Sequence, residues 1–138
     1  MAKCGSCPPS SDRPRVRSAR QQRGRLAEEL AAEFLRAAGC QILECNYRRR
    51  LGELDIVARV DGVLVVAEVR TRSSNAYGGA AASVNRSKQR RITRAAQQLL
   101  QQRSELAQLP VRFDVLIVND PYGPAPAIEW IQHAFEAC

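Results

Sequence analysis

The chain contains 138 residues, of which 45% are apolar and 5% aromatic, and it carries a formal net charge of +7. This length suits a single domain, and the apolar content is sufficient for a buried, mostly aliphatic core. No apolar run reaches the roughly 18 to 20 residues needed to cross a bilayer, and the N-terminus lacks the apolar stretch of a signal peptide. We therefore expect a cytoplasmic protein with no membrane partner.

The five cysteines form an odd set without a regular disulfide framework, which is typical of a reducing compartment. Cys4 and Cys7 have the spacing of half a zinc site or of a redox pair, but no second ligand pair follows them. We interpret most of the five as bystanders. The single His133 lies far from the acidic residues discussed below, so no Ser-His or Cys-His catalytic pair is predicted.

Basic charge is concentrated at the N-terminus. Residues 1–25 contain seven basic residues and one acid, a net charge of +6, which leaves +1 for residues 26–138. Residues 1–22 are also rich in Ser, Pro and Arg, so we predict a disordered basic tail followed by one domain at residues 23–138. Such a tail either contacts phosphates without sequence preference or serves only to increase solubility.

The first element after the tail is a predicted helix that ends at Gly39, a good C-terminal cap. The apolar residues that recur there at helical spacing are Leu26, Leu30, Phe34 and Leu35. Residues 41–48 have the pattern of a first strand, and an arginine run at residues 48–50 with Gly52 connects it to the next one.

A β-hairpin is predicted around Asp61 and Gly62, because both residues tolerate the positive φ of a type I′ turn between two apolar runs. The facing pairs, counted outward from this turn, are Val60 with Val63, Ala58 with Val65, Ile56 with Ala67, Asp55 with Glu68, and Glu53 with Arg70. This register places the four charged residues on one face, at the end of the hairpin away from the turn.

The facing acids Asp55 and Glu68 indicate a bound cation. Side chains directly across an antiparallel pair have Cβ atoms roughly 4.5 to 5.5 Å apart, and like charges placed there are destabilising. A divalent cation with oxygen ligands would relieve the repulsion, and Arg70 would supply a further positive charge beside it. The alternative is a solvated hairpin face on which Glu53 and Arg70 form an ordinary ion pair.

A polar loop at residues 73–82 leads to a predicted second helix from about Asn85 to Gln102. Its apolar stripe consists of Ile92, Ala95, Ala96, Leu99 and Leu100. Its basic residues, concentrated in the first half, are Arg86, Lys88, Arg90, Arg91 and Arg94. Because a helix N-terminus carries partial positive charge, this arrangement is unfavourable unless an anionic partner is present. The alternative is an exposed face of long, solvated side chains.

Two strands complete the chain. Pro110 ends the helical pattern, residues 111–117 alternate as a fourth strand, and residues 128–131 form a short fifth strand. The predicted order α, β, β, β, α, β, with a small strand appended, indicates one α/β domain without internal repeats.

Several ordered motifs resemble those of the YraN family, within the PD-(D/E)xK nuclease superfamily with its restriction-endonuclease-like core. The matching segments are residues 52–59, residues 67–72, Ser83-Val84 with Lys88-Gln89, residues 112–115, and Trp130-Ile131 with Ala134-Phe135. The resemblance covers residues 24–136. It implies an αβββαβ core whose mixed sheet is flanked by helices, and a metal-dependent phosphodiester hydrolase.

The resemblance also implies residue roles. Asp55 and Glu68 would bind Mg²⁺ or Mn²⁺ together with the Val69 carbonyl, and Glu28 of the first helix would add a carboxylate. Glu28 is otherwise one of several surface glutamates. Arg70 stands where the superfamily has lysine, so it would stabilise phosphate charge without acting as a base. Lys88, at the start of the second helix, could instead supply the amine that the superfamily lysine provides.

Nucleic acid, chiefly DNA, is the partner that this resemblance implies, and a homodimer is a second one because restriction-like folds often act as dimers. The predicted nucleic-acid-binding residues are Arg48, Arg49, Arg50, Arg72, Arg86, Lys88, Gln89, Arg90, Arg91 and Arg94. A noncatalytic nucleic-acid-binding domain that keeps the nuclease fold is the main alternative to a nuclease. A protein-interaction adaptor is a third hypothesis.

Overall fold

A computed structural model describes residues 19–73 and 83–137, with side chains from residue 24 onward. Most of the predicted basic tail, with Cys4 and Cys7, lies outside these ranges, as do Cys138 and nearly all of the predicted loop at residues 73–82. The first helix begins at Ala19, four residues before the predicted domain boundary.

The elements follow the predicted order. They are α1 (Ala19–Ala37), β1 (Gln41–Arg49), β2 (Gly52–Val60), β3 (Val63–Arg72), α2 (Arg86–Gln102), a short 3-10 helix (Ser104–Leu106), β4 (Val111–Asn119) and β5 (Ala127–Phe135). The sheet has the order β1-β2-β3-β4-β5, with β3 and β4 parallel and the other neighbours antiparallel. A parallel pair needs a crossover connection, which α2 supplies. The prediction of an α/β fold with an αβββαβ core and a mixed sheet is confirmed.

The two helices cover opposite faces of the sheet and create two cores. On one face, Ala31 and Leu35 of α1 pack with Ile56 and Val65. The core on the other face combines residues of α2 with sheet residues, including Ile92, Leu99, Leu54, Val57, Leu64 and Val66. Because both faces are buried, the central strands are apolar along most of their length.

The end of α1 is closed as the sequence predicted. The Cys40 amide donates to the Leu35 carbonyl at 2.9 Å, and the Gly39 amide donates to the Arg36 carbonyl at 3.0 Å. These two bonds form a Schellman motif, which satisfies the last carbonyls of the helix. The chain therefore passes from α1 to β1 through only three residues, 38–40.

The β2–β3 hairpin has the predicted turn and register. Asp61 and Gly62 both have positive φ, 51° and 76°, as a type I′ turn requires. The predicted pairs Val60 with Val63, Ala58 with Val65, and Ile56 with Ala67 are confirmed. The ladder between these strands ends at Ile56 and Ala67, one residue before the facing acids.

β4 contains a fully buried carboxylate that the alternating sequence pattern did not identify. Asp114 is 0% exposed, and it accepts two hydrogen bonds at 2.9 Å from Arg112, one at 2.8 Å from the Trp130 indole and one at 2.9 Å from the His133 amide. The bonds from Trp130 and His133 connect β4 to β5, which runs from Ala127 to Phe135 and is longer than the predicted residues 128–131. The carboxylate thus has a structural role.

Among residues 19–73 and 83–137, no helix is long and apolar enough to cross a membrane.

Candidate active site

The candidate site lies where β2 separates from β3. Leu54 and Val57 both pack on the α2 face, although residues three apart in a regular strand point to opposite faces. The alternation of β2 is therefore interrupted between them, at Asp55 and Ile56. Instead of a ladder bond, the Val69 amide of β3 donates to Asp55 Oδ2 at 2.9 Å. The Asp55 carboxylate consequently occupies the gap between the two strands.

The Val69 carbonyl also faces this gap, as the geometry of β3 shows. The N–H and C=O of a strand residue project to the same edge of the strand. Because the Val69 N–H points toward Asp55, the Val69 carbonyl also faces the β2 side. The predicted backbone ligand is thus on the correct edge of β3.

Glu68 is the buried member of the acidic pair. It is only 6% exposed, and its Oε2 lies 3.1 Å from Lys88 Nζ of α2 and 3.8 Å from Arg70 Nε. Lys88 and Arg70 are partly exposed, at 38% and 29% of their side chains. Two cations from different elements therefore converge on one carboxylate oxygen.

The environment of Asp55 opposes its ionisation. Burial, followed by the negative charge of Glu68, raises the pKa of Asp55 well above its ordinary value, although the hydrogen bond from the Val69 amide lowers it. The Asp55 and Glu68 side chains are close enough to share a hydrogen bond, which raises the pKa of Asp55 further. That these two acids share a metal ion stays a prediction.

Glu28 of α1 borders the pair. Burial raises the pKa of Glu28, while a hydrogen bond from Asn46 and the charge of Arg48 lower it. Its charge acts on both Asp55 and Glu68. Its carboxylate accepts a hydrogen bond from Asn46. The role of Glu28 as a metal ligand stays a prediction.

Sequence reasoning missed two features near these acids. Asn46 has a φ of 53°, which asparagine tolerates better than most residues, and the asparagine within an apolar strand was the available signal. Glu53 does not face Arg70 as expected. Its carboxylate lies 3.5 Å from Arg48, its neighbour on β1, since the β2–β3 ladder has ended before Glu53.

The first turn of α2 is fixed where Lys88 leaves it. Asn85 is the N-cap, and its side-chain oxygen accepts a hydrogen bond from the Lys88 amide at 2.8 Å. The Gln89 side chain donates to the Val84 carbonyl at 2.6 Å. The cap satisfies one of the free amides of the helix start and sets the point from which Lys88 reaches Glu68.

The turn between β1 and β2 packs directly on α2. A Cβ atom added to Gly52 would lie 2.5 Å from the Arg91 carbonyl oxygen and 3.5 Å from the Ala95 Cβ. Only glycine permits this approach without a shift of the backbone. The arginine run at residues 48–50, at the tip of the β1–β2 hairpin, and the basic first half of α2 are therefore neighbours.

Apart from Lys88 and Gln89, whose contacts at the start of α2 are described above, the predicted nucleic-acid-binding residues fall into three groups. The hairpin arginines, Arg48, Arg49 and Arg50, are exposed, and the Arg49 guanidinium lies 4.3 Å from the centre of the Tyr47 ring. The helix arginines, Arg86, Arg90, Arg91 and Arg94, are also exposed. Arg72 is separate from both groups, because it bonds to Asn119 at 2.8 Å and pairs with Glu129 at 3.3 Å.

The donor set suits a hard divalent cation. Two carboxylates and one backbone carbonyl are the oxygen ligands that Mg²⁺ and Mn²⁺ prefer, with water or substrate oxygens completing the coordination. Within the described ranges, no three His, Cys, Asp or Glu side chains form a group that could hold a metal ion. An ion at this place would therefore rest on the pair Asp55 and Glu68 and on the Val69 carbonyl.

The five-stranded mixed sheet between two helices is compatible with a restriction-endonuclease-like core. A family model described as uncharacterised protein family UPF0102 matches residues 27–118, a range that includes Asp55, Glu68, Arg70 and Lys88. The chain belongs to this YraN-like family.

Curated relatives agree with this assignment. A UPF0102 protein of Cupriavidus pinatubonensis is 48% identical over 126 residues, covering 89% of this chain and 92% of the relative. A UPF0102 protein of Saccharophagus degradans is 46% identical over 112 residues, covering 81% and 91%. A third, from Pseudomonas savastanoi pv. phaseolicola, is 41% identical over 121 residues, covering 88% and 98%.

Proposed function

We propose that this protein is a cytoplasmic, metal-dependent nuclease of the PD-(D/E)xK superfamily that hydrolyses phosphodiester bonds in DNA, including branched or single-stranded forms. The observation that carries the proposal is the position of Asp55 and Glu68 at the gap between β2 and β3, where Asp55 bonds to the Val69 amide and Glu68 pairs with two cations. Facing acids repel each other unless positive charge lies between them, and such arrangements are typical of functional sites.

Asp55, Glu68 and the Val69 carbonyl would hold Mg²⁺ or Mn²⁺, which would polarise the scissile phosphate and activate a water molecule. Glu28 lies close enough to act on both acids electrostatically. It would therefore tune the charge of the site, whether or not it contacts the ion.

Arg70 and Lys88 would contact the phosphate. Arginine remains protonated under all ordinary conditions, so Arg70 stabilises negative charge and does not remove a proton. Lys88 brings the ammonium group from α2, and its position 3.1 Å from Glu68 is consistent with the sequence-based suggestion that it replaces the superfamily lysine.

The hairpin arginines and the helix arginines would bind the DNA backbone on either side of the Gly52 contact. Phosphate contacts of this kind carry no sequence information but fix the orientation of the substrate. This surface favours a nuclease that recognises DNA shape.

Cleavage of linear, nicked, branched and single-stranded DNA in the presence of Mg²⁺ or Mn²⁺ tests the proposal. Asp55→Asn and Glu68→Gln should each reduce the rate by more than about 100-fold, because changes outside the ligand shell alone cost about 10- to 100-fold. Asp61→Asn, an equal change in the exposed turn, should retain full activity. Absence of cleavage of every substrate, or equal cleavage by Asp55→Asn, would contradict a nuclease.

One observation favours a noncatalytic nucleic-acid-binding domain as second candidate. Lys88 lies 3.1 Å from Glu68 and compensates its charge within the chain itself, as would be expected in a fold that has kept its acids for structure alone. This candidate predicts salt-dependent DNA binding that needs no metal and is unchanged in Asp55→Asn. Absence of affinity for DNA at low salt would exclude it.

A further inference from the structure

Lys88 and Arg70 compete for the same oxygen atom. Lys88 Nζ forms an ion pair with Glu68 Oε2 at 3.1 Å, whereas Arg70 Nε lies 3.8 Å from that oxygen, beyond hydrogen-bond distance. Arg70 Nε is buried and has no hydrogen-bond partner among the described residues. A buried donor without a hydrogen-bond partner is unfavourable, so both cations pair with Glu68 but the Arg70 Nε–H group is left unsatisfied.

The two cations differ in their freedom to move. The Lys88 backbone is held at the start of α2 by the Asn85 cap, but its side chain is 38% exposed and has a flexible four-carbon stem. Its ammonium group can leave Glu68 for solvent or for a phosphate while the helix stays in place. Arg70 is two residues from Glu68 on the same strand and is more buried, at 29% exposed.

A divalent ion held by Asp55 and Glu68 would change the balance between them. The two carboxylates alone would neutralise the ion, so an ammonium 3.1 Å from Glu68 would become an excess positive charge beside it. The same repulsion acts on Arg70, but Arg70 is held beside Glu68 on β3, so the more exposed and flexible Lys88 is the cation that repulsion would displace.

We propose that Lys88 is a built-in counter-ion of the metal-free site, which metal binding displaces toward the substrate phosphate while Arg70 Nε takes its place on Glu68. This inference rests on the proposed function, since it requires Asp55 and Glu68 to hold a metal. It adds a coupling between two events, because binding of the metal releases the Lys88 ammonium group to bind the substrate phosphate. It also gives Arg70 a task, the orientation of Glu68, that arginine performs without deprotonation.

Isothermal titration calorimetry with Mn²⁺ on the full chain tests this coupling. Lys88→Met should bind Mn²⁺ about tenfold more tightly than the unsubstituted protein, a difference of about 1.4 kcal/mol. Lys88→Gln keeps a hydrogen-bond donor near Glu68 without its charge, so it should also bind more tightly and provides a second variant if the methionine variant does not fold. Arg90→Met removes the same charge from an exposed position of α2 and should change the affinity by less than about threefold.

The outcomes separate this inference from the proposed function. If the unsubstituted protein binds Mn²⁺, Asp55→Asn abolishes binding, and both Lys88 variants bind with equal or lower affinity, the counter-ion role is wrong while the metal site stands. If neither the unsubstituted protein nor Lys88→Met binds Mn²⁺, both are wrong. An affinity gain in Arg90→Met as large as that in Lys88→Met would also overturn the counter-ion role, because it would show a general effect of charge.

The Arg70 step has its own readout. In nuclear magnetic resonance spectra, the Arg70 Nε–H proton should exchange with solvent more slowly after Mg²⁺ is added, because it gains a hydrogen bond to Glu68. Unchanged exchange in a protein that has bound Mg²⁺ would contradict the transfer of Glu68 from Lys88 to Arg70.

Discussion

Asp55 destabilises the metal-free protein when it is ionised. Burial and the neighbouring Glu68 raise its pKa well above 3.8, the ordinary value. The folded protein therefore binds more protons than the unfolded chain between these two pKa values, and the free energy of unfolding falls as pH rises through the folded pKa. Such a cost is typical of functional sites, which agrees with the proposed role of Asp55 as a metal ligand.

We accordingly predict that Asp55→Asn stabilises the metal-free protein at about pH 8. Asparagine can still accept the hydrogen bond from the Val69 amide but carries no charge. Thermal unfolding should show a Tm increase of several degrees, since about 1 kcal/mol moves Tm by roughly 3 to 6 °C in a domain of this size. The difference should shrink as pH falls through the folded pKa and vanish below the ordinary value of 3.8, where aspartate is protonated in both states.

Asp61→Asn is the control for this prediction, because Asp61 is exposed in a turn where asparagine is equally suitable. It should change the free energy of unfolding by less than about 0.5 kcal/mol at either pH. A lower Tm for Asp55→Asn at about pH 8, or a difference that grows on acidification, would contradict the environment described for Asp55.

Among single residues, the acids were predictable and their cations were less so. Asp55 and Glu68 followed from the type I′ turn, because its two-residue loop fixes the register of the hairpin. The pairing of Glu68 with Lys88 depends on how α2 docks on the sheet, which local patterns do not encode. The buried Asp114 was also missed, since its four hydrogen-bond donors come from two strands that meet only in the folded sheet.

At the level of elements, the contact between the β1–β2 hairpin and α2 sets the geometry of the site. Gly52 is the point of contact, and a Cβ there would come within 2.5 Å of the Arg91 carbonyl oxygen, a backbone atom that cannot rotate away. The hairpin tip and the helix that carries Lys88 are held together by this glycine.

Gly52→Ala should therefore destabilise the protein by about 1 to 3 kcal/mol, as overpacking does in other cores. Urea unfolding would measure the loss. The matched control is Gly24→Ala, because Gly24 lies inside α1 and an added Cβ meets nothing within 4 Å. That change should stabilise by about 0.5 to 1 kcal/mol, since glycine is unfavourable within a helix. Equal effects of the two substitutions would rule out a special role for the Gly52 contact.

The boundaries of the elements were predictable where local chemistry sets them. Gly39 ends α1 and Asn85 begins α2 through side-chain or backbone bonds within a few residues. The extent of β5 was underestimated, because its later residues are held by Asp114 of β4 and not by a local pattern. The interruption of β2 at Asp55 was likewise not visible, because the apolar run at residues 56–58 does not show which face each residue takes.

For the whole molecule, the arrangement of charge matters more than its total. Residues 26–138 carry a net charge of only +1, yet their hairpin arginines and helix arginines are exposed on adjacent elements. A locally positive surface on a nearly neutral domain favours contacts with phosphates at one place.

The double substitution Arg90→Ala with Arg94→Ala should reduce the salt dependence of duplex DNA binding. Each phosphate contact contributes about 0.9 to the slope of log affinity against log salt concentration, so losing two contacts should lower the slope by about 2. Fluorescence anisotropy over a range of salt concentrations measures this slope. Arg36→Ala with Arg59→Ala removes the same charge from exposed positions on α1 and β2 and should lower it by less than half as much. Equal reductions would contradict a localised binding surface.

The presence of a divalent ion between Asp55 and Glu68 is the central claim, and a crystal soaked in Mn²⁺ tests it most directly. We predict one anomalous-difference peak about 2.0 to 2.6 Å from oxygens of Asp55, Glu68 and the Val69 carbonyl. The peak should be absent from an Asp55→Asn crystal soaked in the same way. No peak at this position in the unsubstituted protein, or a peak that persists after Asp55→Asn, would contradict the account.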